Sequence, residues 1–192
     1  MEQITYWKGE VSLFKRAIQY EPHLGRVHIL LAKAYYLNRR YDHAITEYEK
    51  AAEIMNRYAS LAKISLARDF YLGLVKGIYF DWAHCYEAKK DFEASSNLYQ
   101  MALTLDPLDG VLYNNLGENY FYLRKIDLAI TQFKKTLELN PSDLQAMNNL
   151  ALCYIEQGHL NEAEQLLKAI LEKNNRFLPA RQNLEKLLND RR

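Results

Sequence analysis

The sequence has no run of apolar residues as long as the 18 or more that a membrane-spanning helix requires, so we expect no membrane insertion of this segment. Neither sign of charge is in clear excess, since 25 basic and 24 acidic residues give a net charge of +1. This balance argues against electrostatic binding of nucleic acid or of a membrane surface. Glycine and proline are scarce, at 7 and 4 of 192 residues, and no low-complexity stretch is visible. A content of 49% hydrophobic and 26% charged residues is typical of a domain with a buried core.

Motifs that carry chemistry are missing as well. No Gly-rich phosphate loop, G-x-S-x-G or C-x-x-C motif is present, and the histidines and cysteines show no spacing typical of a nucleophile pair or of metal ligands. We therefore expect no enzyme activity, no cofactor and no metal site. The opening MEQITYWKGE has no basic stretch followed by an apolar one, so no signal peptide is predicted. The compartment is left open, with the cytoplasm as the default.

The sequence does contain one pattern that returns every 34 residues, with 17 extra residues between its first two copies. Two sets of equivalent positions show it: Tyr35, Tyr86, Tyr120 and Tyr154, and then Ala44, Ser95, Ala129 and Ala163. The copy at 110–143 matches the motif W-x2-L-G-x2-Y…A-x3-F…P, with tyrosine in place of tryptophan. The matching residues are Tyr113, Leu116, Gly117, Tyr120, Ala129, Phe133 and Pro141. This pattern resembles the tetratricopeptide repeat family.

The resemblance implies an all-α fold, a right-handed solenoid of antiparallel helix pairs, in one domain over 1–192. Each repeat would have a first helix, A, and a second helix, B. The register gives full repeats at 25–58, 76–109, 110–143 and 144–177. The family further implies a concave face lined by A helices, which binds an extended peptide or a partner helix without catalysis.

Small residues recur where the two helices of each repeat are expected to cross. They are Ala32, Ala83, Gly117 and Ala151 on the A helices, opposite the alanine and serine set on the B helices. Larger side chains there would separate the helices at a cost of about 1–3 kcal/mol. Cys85 and Cys153 occupy equivalent positions two repeats apart, so we predict two separate buried thiols and no disulfide.

Three segments depart from the regular repeat. Residues 5–22 predict a B-type helix without an A helix before it, and 178–190 predict a capping helix that becomes charged toward its end. The 17 extra residues, 59–75, have apolar residues at helical spacing. We interpret them as an N-terminal extension of the next A helix, or alternatively as a short helix bent at Gly73 or Gly77. They either pack on the chain's own repeats or serve as a dimerisation or docking arm.

The groove of the predicted solenoid can be located from the register. Asn115, Asn149 and Asn183 are equivalents at a spacing of 34, similar to the asparagine ladder of O-GlcNAc transferase repeats. Such a ladder grips a peptide main chain, because an amide both donates and accepts hydrogen bonds. Leu30 and Asp81 hold the corresponding positions in the first two repeats, so the ladder would be limited to the C-terminal half. The alternative is that asparagine is simply common at this position.

Further groove residues are predicted beside the ladder: Asn114, Asn148, Glu118, Phe121 and Tyr122, with Asp81 and His84 in an earlier repeat. Asp81 and His84 lie one helical turn apart and could form a hydrogen bond with each other. The paired basic and asparagine residues of a chaperone-binding carboxylate clamp are not found. The sequence therefore predicts a scaffold that binds a protein or peptide.

A second resemblance covers residues 6–17 and rests on Trp7, Glu10, Leu13, Phe14 and Ala17. The segment is similar to the start of the soluble repeat region in bacterial membrane glycosyltransferases and O-antigen-ligase-like proteins. It implies an alternative function, an accessory domain of a membrane-embedded polysaccharide-assembly protein, which would place the chain outside the cytoplasm. Self-association as a homodimer, through 59–75 or the first helix, is compatible with either function.

Overall fold

The computed structural model describes the backbone of residues 2–190 and the side chains of residues 9–190. This part of the chain is all-α. Its ten helices are α1 (Glu2–Tyr20), α2 (Gly25–Leu37), α3 (Tyr41–Leu61), α4 (Ser65–Ala88), α5 (Phe92–Leu105), α6 (Gly110–Tyr122), α7 (Ile126–Leu139), α8 (Leu144–Glu156), α9 (Leu160–Lys173) and α10 (Leu178–Asn189). The four predicted repeats each fall on one helix pair, α2–α3, α4–α5, α6–α7 and α8–α9, although α3 and α4 extend beyond the predicted bounds. The all-helical structure confirms the predicted fold class.

The helices group into two compact units, Met1–Pro107 and Leu108–Arg192. The first contains α1 to α5 and the second contains α6 to α10. Each unit is described by itself below. The assignment of the whole chain to one domain stays a prediction.

The turn from helix A to helix B has the same backbone conformation in all four repeats. One residue adopts a positive φ: Arg39 at 58°, Lys90 at 63°, Arg124 at 61° and Gly158 at 77°. The amide of the following residue then donates to the carbonyl of the repeated tyrosine, as from Lys125 to Tyr120 at 2.8 Å. This bond satisfies a carbonyl that the helix end would otherwise leave unpaired. The tyrosine set therefore marks the end of each A helix.

In the N-terminal unit, the 17 inserted residues lengthen two helices. α3 has 21 residues and α4 has 24, whereas the corresponding helices of the third repeat have 14 and 13. The break falls at 62–64, and α4 then runs without interruption through Gly73 and Gly77. Residues 65–75 thus belong to the same helix as the A helix of the second repeat, while 59–61 end α3.

The inserted segment exposes several large apolar side chains to solvent: Leu61, Ile64, Leu66 and Phe70. Only part of it packs on its own unit, through the ring of Tyr71 against Tyr58 at 5.5 Å and through the guanidinium of Arg26 over Phe70 at 5.7 Å. Helix α1 also has exposed apolar residues, since Leu13 and Tyr20 face solvent while Phe14 is half-buried. Trp7, one of the residues on which the second resemblance rests, lies outside the described side chains.

In the C-terminal unit, α6 packs against α7, α8 against α7 and α9, and α10 against α8 and α9. The core that these last three helices share consists of Met147, Ala151, Ala163, Leu167, Ile170, Ala180 and Leu187. Ala180 and Leu187 lie on α10, whose remaining residues are mostly polar and more exposed. Asp109 and Asp143 directly precede α6 and α8 as N-cap residues, and their carboxylates accept hydrogen bonds from amides of the first turn.

Candidate peptide-binding groove

Two adjoining pockets of the C-terminal unit form a groove along α6, α8 and α10. The Glu118 pocket has a volume of about 140 Å³ and is lined by Glu118, Phe121, Tyr122, Phe133, Gln145, Asn149 and Leu152. The Leu187 pocket has a volume of about 170 Å³ and is lined by Phe121, Leu152, Ile155, Glu156, Leu160, Asn183, Lys186, Leu187 and Asp190. Phe121 and Leu152 line both pockets, so the two pockets adjoin, and we refer to them together as the C-terminal groove.

The ring of Phe133, on α7, forms the floor of the Glu118 pocket and is 1% exposed. It fits there because residue 117, on the facing helix, is glycine. A Cβ at that position would lie 2.7 Å from Cε1 of Phe133, well inside van der Waals contact. Gly117 thus allows α6 to approach α7 closely at Phe133, whose ring lines the pocket.

Glu118 is held in place by one asparagine of its own helix, α6, and by one asparagine of the next A helix, α8. Its Oε1 accepts from Nδ2 of Asn114 at 2.8 Å and from Nδ2 of Asn149 at 2.9 Å. Asn149 also donates to Asn114, at 3.4 Å, and accepts from Gln145. These bonds connect α6 with α8 and leave the carboxylate in a fixed orientation within the pocket.

The predicted asparagines have different environments. Asn148 is 3% exposed, and its Oδ1 accepts from Nδ2 of Asn183 at 2.9 Å. Its side chain therefore joins α8 to α10 and is not accessible as a groove contact. Asn183 itself lines the Leu187 pocket, whereas Asn115 is half-buried and lines neither pocket. The side-chain amides of Asn149 and Asn183 thus donate to side chains of other helices. The ladder interpretation, in contrast, required these amides to face a bound peptide.

Another carboxylate of the C-terminal groove, that of Glu156, has an ion-pair partner. Glu156 accepts from the guanidinium of Arg124 at 2.7 Å. Lys186 lies in the last turn of α10 and Asp190 directly follows that helix, but no ion pair is observed between these two side chains. Glu118 has no basic partner within the part of the chain that the structure describes.

Asp81 and His84 belong to a separate pocket in the N-terminal unit. It has a volume of about 200 Å³ and is lined by Lys33, Tyr36, Leu37, Tyr48, Asp81 and His84. Asp81 pairs with the ammonium of Lys33 at 3.0 Å, and His84 lies 3.8 Å from Glu87. The hydrogen bond predicted between Asp81 and His84 is thus replaced by pairs with other residues. Burial, with a further contribution from Asp81, raises the pKa of Tyr48 above its usual value.

Several residues of the C-terminal groove are absent from the sequence-based prediction: Gln145, Leu152, Ile155, Glu156, Leu160, Lys186, Leu187 and Asp190. The repeat register contained a signal for three of them. Leu152 and Lys186 follow Glu118 at spacings of 34, and Ile155 follows Phe121 at the same spacing. Extending the register from Glu118 and Phe121 would therefore have identified Leu152 and Ile155, two of the four aliphatic residues that line the groove.

The two cysteines are free thiols buried in the helix packing. Sγ of Cys85 is 3.6 Å from the carbonyl of Asp81. Burial raises the pKa of Cys85 and that of Cys153 to about 12, so both remain protonated at neutral pH. Among the described residues, no three His, Cys, Asp or Glu side chains are grouped closely enough to hold a metal ion. No described helix combines the length and the apolar character needed to cross a bilayer.

Comparison with protein-family models matches the tetratricopeptide repeat twice, at residues 25–58 and at residues 120–188. Together these matches cover more than half of the chain. The chain therefore belongs to the tetratricopeptide repeat family, whose members are generally non-catalytic interaction modules. No curated protein sequence matches it. Neither family match includes residues 6–17, and the resemblance of that segment to membrane glycosyltransferases stays a prediction.

Solved structures with the same fold include tetratricopeptide proteins. The crystal structure of MamA aligns with a TM-score of 0.73 at 21% identity, over 88% of this chain and 89% of that one. YrrB, described as a tetratricopeptide protein with an unusual peptide-binding site, aligns with a TM-score of 0.67 at 21% identity, over 93% and 83%. The first such domain of Spaghetti (RPAP3), bound to the HSP90 peptide SRMEEVD, aligns with a TM-score of 0.57 at 21% identity, over 60% and 91%.

Proposed function

We propose that this protein is an interaction scaffold that binds an extended peptide segment of a partner protein in the C-terminal groove. The observation that carries the proposal is that the Glu118 and Leu187 pockets adjoin at Phe121 and Leu152. Together they bring apolar and polar side chains of the successive A helices α6, α8 and α10 to one surface. Pockets that combine apolar walls with a few fixed polar groups are typical of binding sites. Peptide binding by YrrB and by the Spaghetti domain supports the same use of the fold.

Within the groove, Phe121 and Tyr122 are the residues we expect to contribute most to binding. Phe121 lines both pockets, and Tyr122 is largely exposed at the edge of the first. Their rings lie 6.3 Å apart at a steep angle, which gives a bound side chain two faces to contact. Asn114, Asn148 and Asn149 act indirectly in this proposal, by fixing Glu118 and the spacing of the helices.

The test uses peptides selected on the immobilised full chain from a library of short random sequences. For a selected peptide we expect micromolar affinity, and we expect Tyr122→Ala to weaken binding about tenfold, a loss of roughly 1.4 kcal/mol. Tyr20→Ala is the matched control, since Tyr20 is also exposed but lies on α1. Calorimetric titration measures both. Equal affinity of wild type and of Tyr122→Ala and Phe121→Ala variants would contradict binding at this groove.

We also propose that the inserted segment mediates self-association of two copies of the chain. Its exposed residues Leu66 and Phe70 flank Arg68 and Asp69, which form no ion pair within the described residues. In a twofold dimer the same surface of both copies forms the contact, so a residue pair across the interface occurs twice. Arg68 of one copy can then pair with Asp69 of the second while the apolar side chains pack together.

Sedimentation equilibrium across a concentration series tests this second proposal. We expect the wild type to show a monomer–dimer equilibrium and the Leu66→Asp variant to be monomeric over the same range, because a charge in the apolar contact is costly to desolvate. Leu108→Asp is the control, since Leu108 is equally exposed but lies in the other unit. A wild type that stays monomeric at every concentration would exclude the dimer.

A further inference from the structure

The charge of Glu118 distinguishes the C-terminal groove from an apolar channel. The two asparagine amides both donate to the same carboxylate oxygen, Oε1. Within the described residues, the second oxygen, Oε2, has no donor, although the residue is half-buried and lines a pocket. A partly desolvated carboxylate of this kind gains from an added donor or positive charge, because neutral amides offset only part of its lost hydration.

Among the residues whose side chains the structure describes, 9–190, no cation pairs with Glu118. Arg124 is bonded to Glu156, and Lys186 lies in the last turn of α10 and lines the neighbouring pocket. Arg124 is thus neutralised by Glu156, whereas no described basic residue pairs with Glu118. A ligand group that approaches Oε2 therefore meets a net negative site.

Aromatic rings border the same pocket. Phe121, Tyr122 and Phe133 all line it together with Glu118. The faces of such rings attract cations, and an ammonium or guanidinium group between a carboxylate and aromatic faces is stabilised by both. The long aliphatic stem of lysine or arginine also suits a pocket whose walls are apolar.

We propose that the C-terminal groove recognises a peptide by a lysine or arginine side chain that enters the Glu118 pocket. An adjacent apolar side chain of the peptide occupies the Leu187 pocket, which Leu152, Ile155, Leu160 and Leu187 line. This inference rests on the proposed function and specifies its ligand as a basic–apolar segment of a partner protein. It also predicts rejection of acidic segments, because a carboxylate placed beside Glu118 would be repelled and poorly hydrated.

Three synthetic peptide pools test the proposal, binding to the full chain. The pools are identical mixtures with randomised apolar flanking positions, and they differ only at the central residue, which is lysine, glutamine or glutamate. Fluorescence anisotropy measures the affinity of each pool. For the wild type we expect the lysine pool to bind at least about tenfold more tightly than the glutamine pool, and the glutamate pool to bind most weakly.

The variant Glu118→Gln keeps the shape of the side chain and an acceptor for Asn114 and Asn149, but it removes the charge. We expect the affinities for the lysine and glutamine pools to become equal within a factor of two or so, through loss of lysine binding. Glu138→Gln is the matched control, because it makes the same charge change on the exposed face of α7 and should keep the lysine preference.

The outcomes separate this inference from the proposed function. If the wild type binds the lysine and glutamine pools equally, or if Glu118→Gln keeps the preference for lysine, the basic specificity is wrong while groove binding stands. If no pool binds at all, and peptides selected from a random library do not bind either, the proposed function is wrong and this inference with it. If Glu138→Gln also loses the preference for lysine, the preference depends on the net charge of the chain and not on Glu118, and the proposal is overturned.

Discussion

Replacement of Phe133 by alanine is expected to lower the free energy of unfolding of the C-terminal unit by about 3–5 kcal/mol. The ring is almost fully buried and packs against the backbone of Gly117, so no neighbouring side chain can fill the space that its removal leaves. The loss combines the free energy of transferring a phenyl ring from water with the cost of a cavity. A change of this size is a large fraction of the stability of an ordinary domain.

Urea unfolding followed by circular dichroism measures the effect, and Leu128→Ala serves as the control. Leu128 lies on the same helix but is 46% exposed, so its truncation should change the free energy of unfolding by no more than about 0.5 kcal/mol. A loss below about 1 kcal/mol for Phe133→Ala would mean that the contact between α6 and α7 does not depend on this ring. We expect Gly117→Val to destabilise as well, by overpacking of the same contact.

The second large effect is a loss of stability at alkaline pH caused by the two buried thiols. Burial raises the pKa of Cys85 and of Cys153 from 9.0 to about 12 in the folded chain. Below pH 9 the thiols are protonated in both states and leave the free energy of unfolding unchanged. Between pH 9 and pH 12 only the unfolded chain releases the protons, so stability falls by up to about 1.4 kcal/mol per pH unit for each thiol.

Chemical denaturation at pH 8 and pH 10.5 under reducing conditions, for wild type, Cys85→Ala and Cys153→Ala, measures this dependence. Tyrosine and lysine side chains also titrate in this range, but they are common to all three chains, and differences between chains isolate the thiols. Between pH 8 and pH 10.5, the free energy of unfolding of each variant should fall by about 1–2 kcal/mol less than that of the wild type. Equal losses in all three chains would show that the thiols ionise as easily in the folded state as in the unfolded one.

The 34-residue register predicted the helix pairs because the same side-chain pattern accompanies the same packing of helix A against helix B in each repeat. Gly117 and Phe133 belong to the motif for the reason seen in the structure, namely the close approach of two helices. The end of α3 had no comparable signal. Ala62 and Ile64 adopt extended conformations there although neither is a helix breaker, so packing rather than local propensity determines where that helix ends.

The candidate groove was predicted less completely than the fold, for a different physical reason. Register shows which positions of successive A helices are equivalent, but a hydrogen bond between helices joins positions that are not equivalent. Asn149 bonds to Asn114 and Asn183 to Asn148, each at a separation of 35 residues. Such contacts depend on the rotation of one helix against the next, which a single sequence does not encode in its spacing. Glu118 was identified from the register, but its isolation from basic residues was not.

The turns between helix A and helix B contain backbone conformations that lower the stability of the chain. Three of the four left-handed positions hold Arg39, Lys90 and Arg124, where glycine would avoid a cost of about 1 kcal/mol each. Only Arg124 uses its side chain in compensation, through Glu156. Selection thus tolerates avoidable strain at Arg39 and Lys90, as expected of a protein kept just above the stability it needs. These two turns are where an engineered version of the array could become more thermostable without a change in the groove.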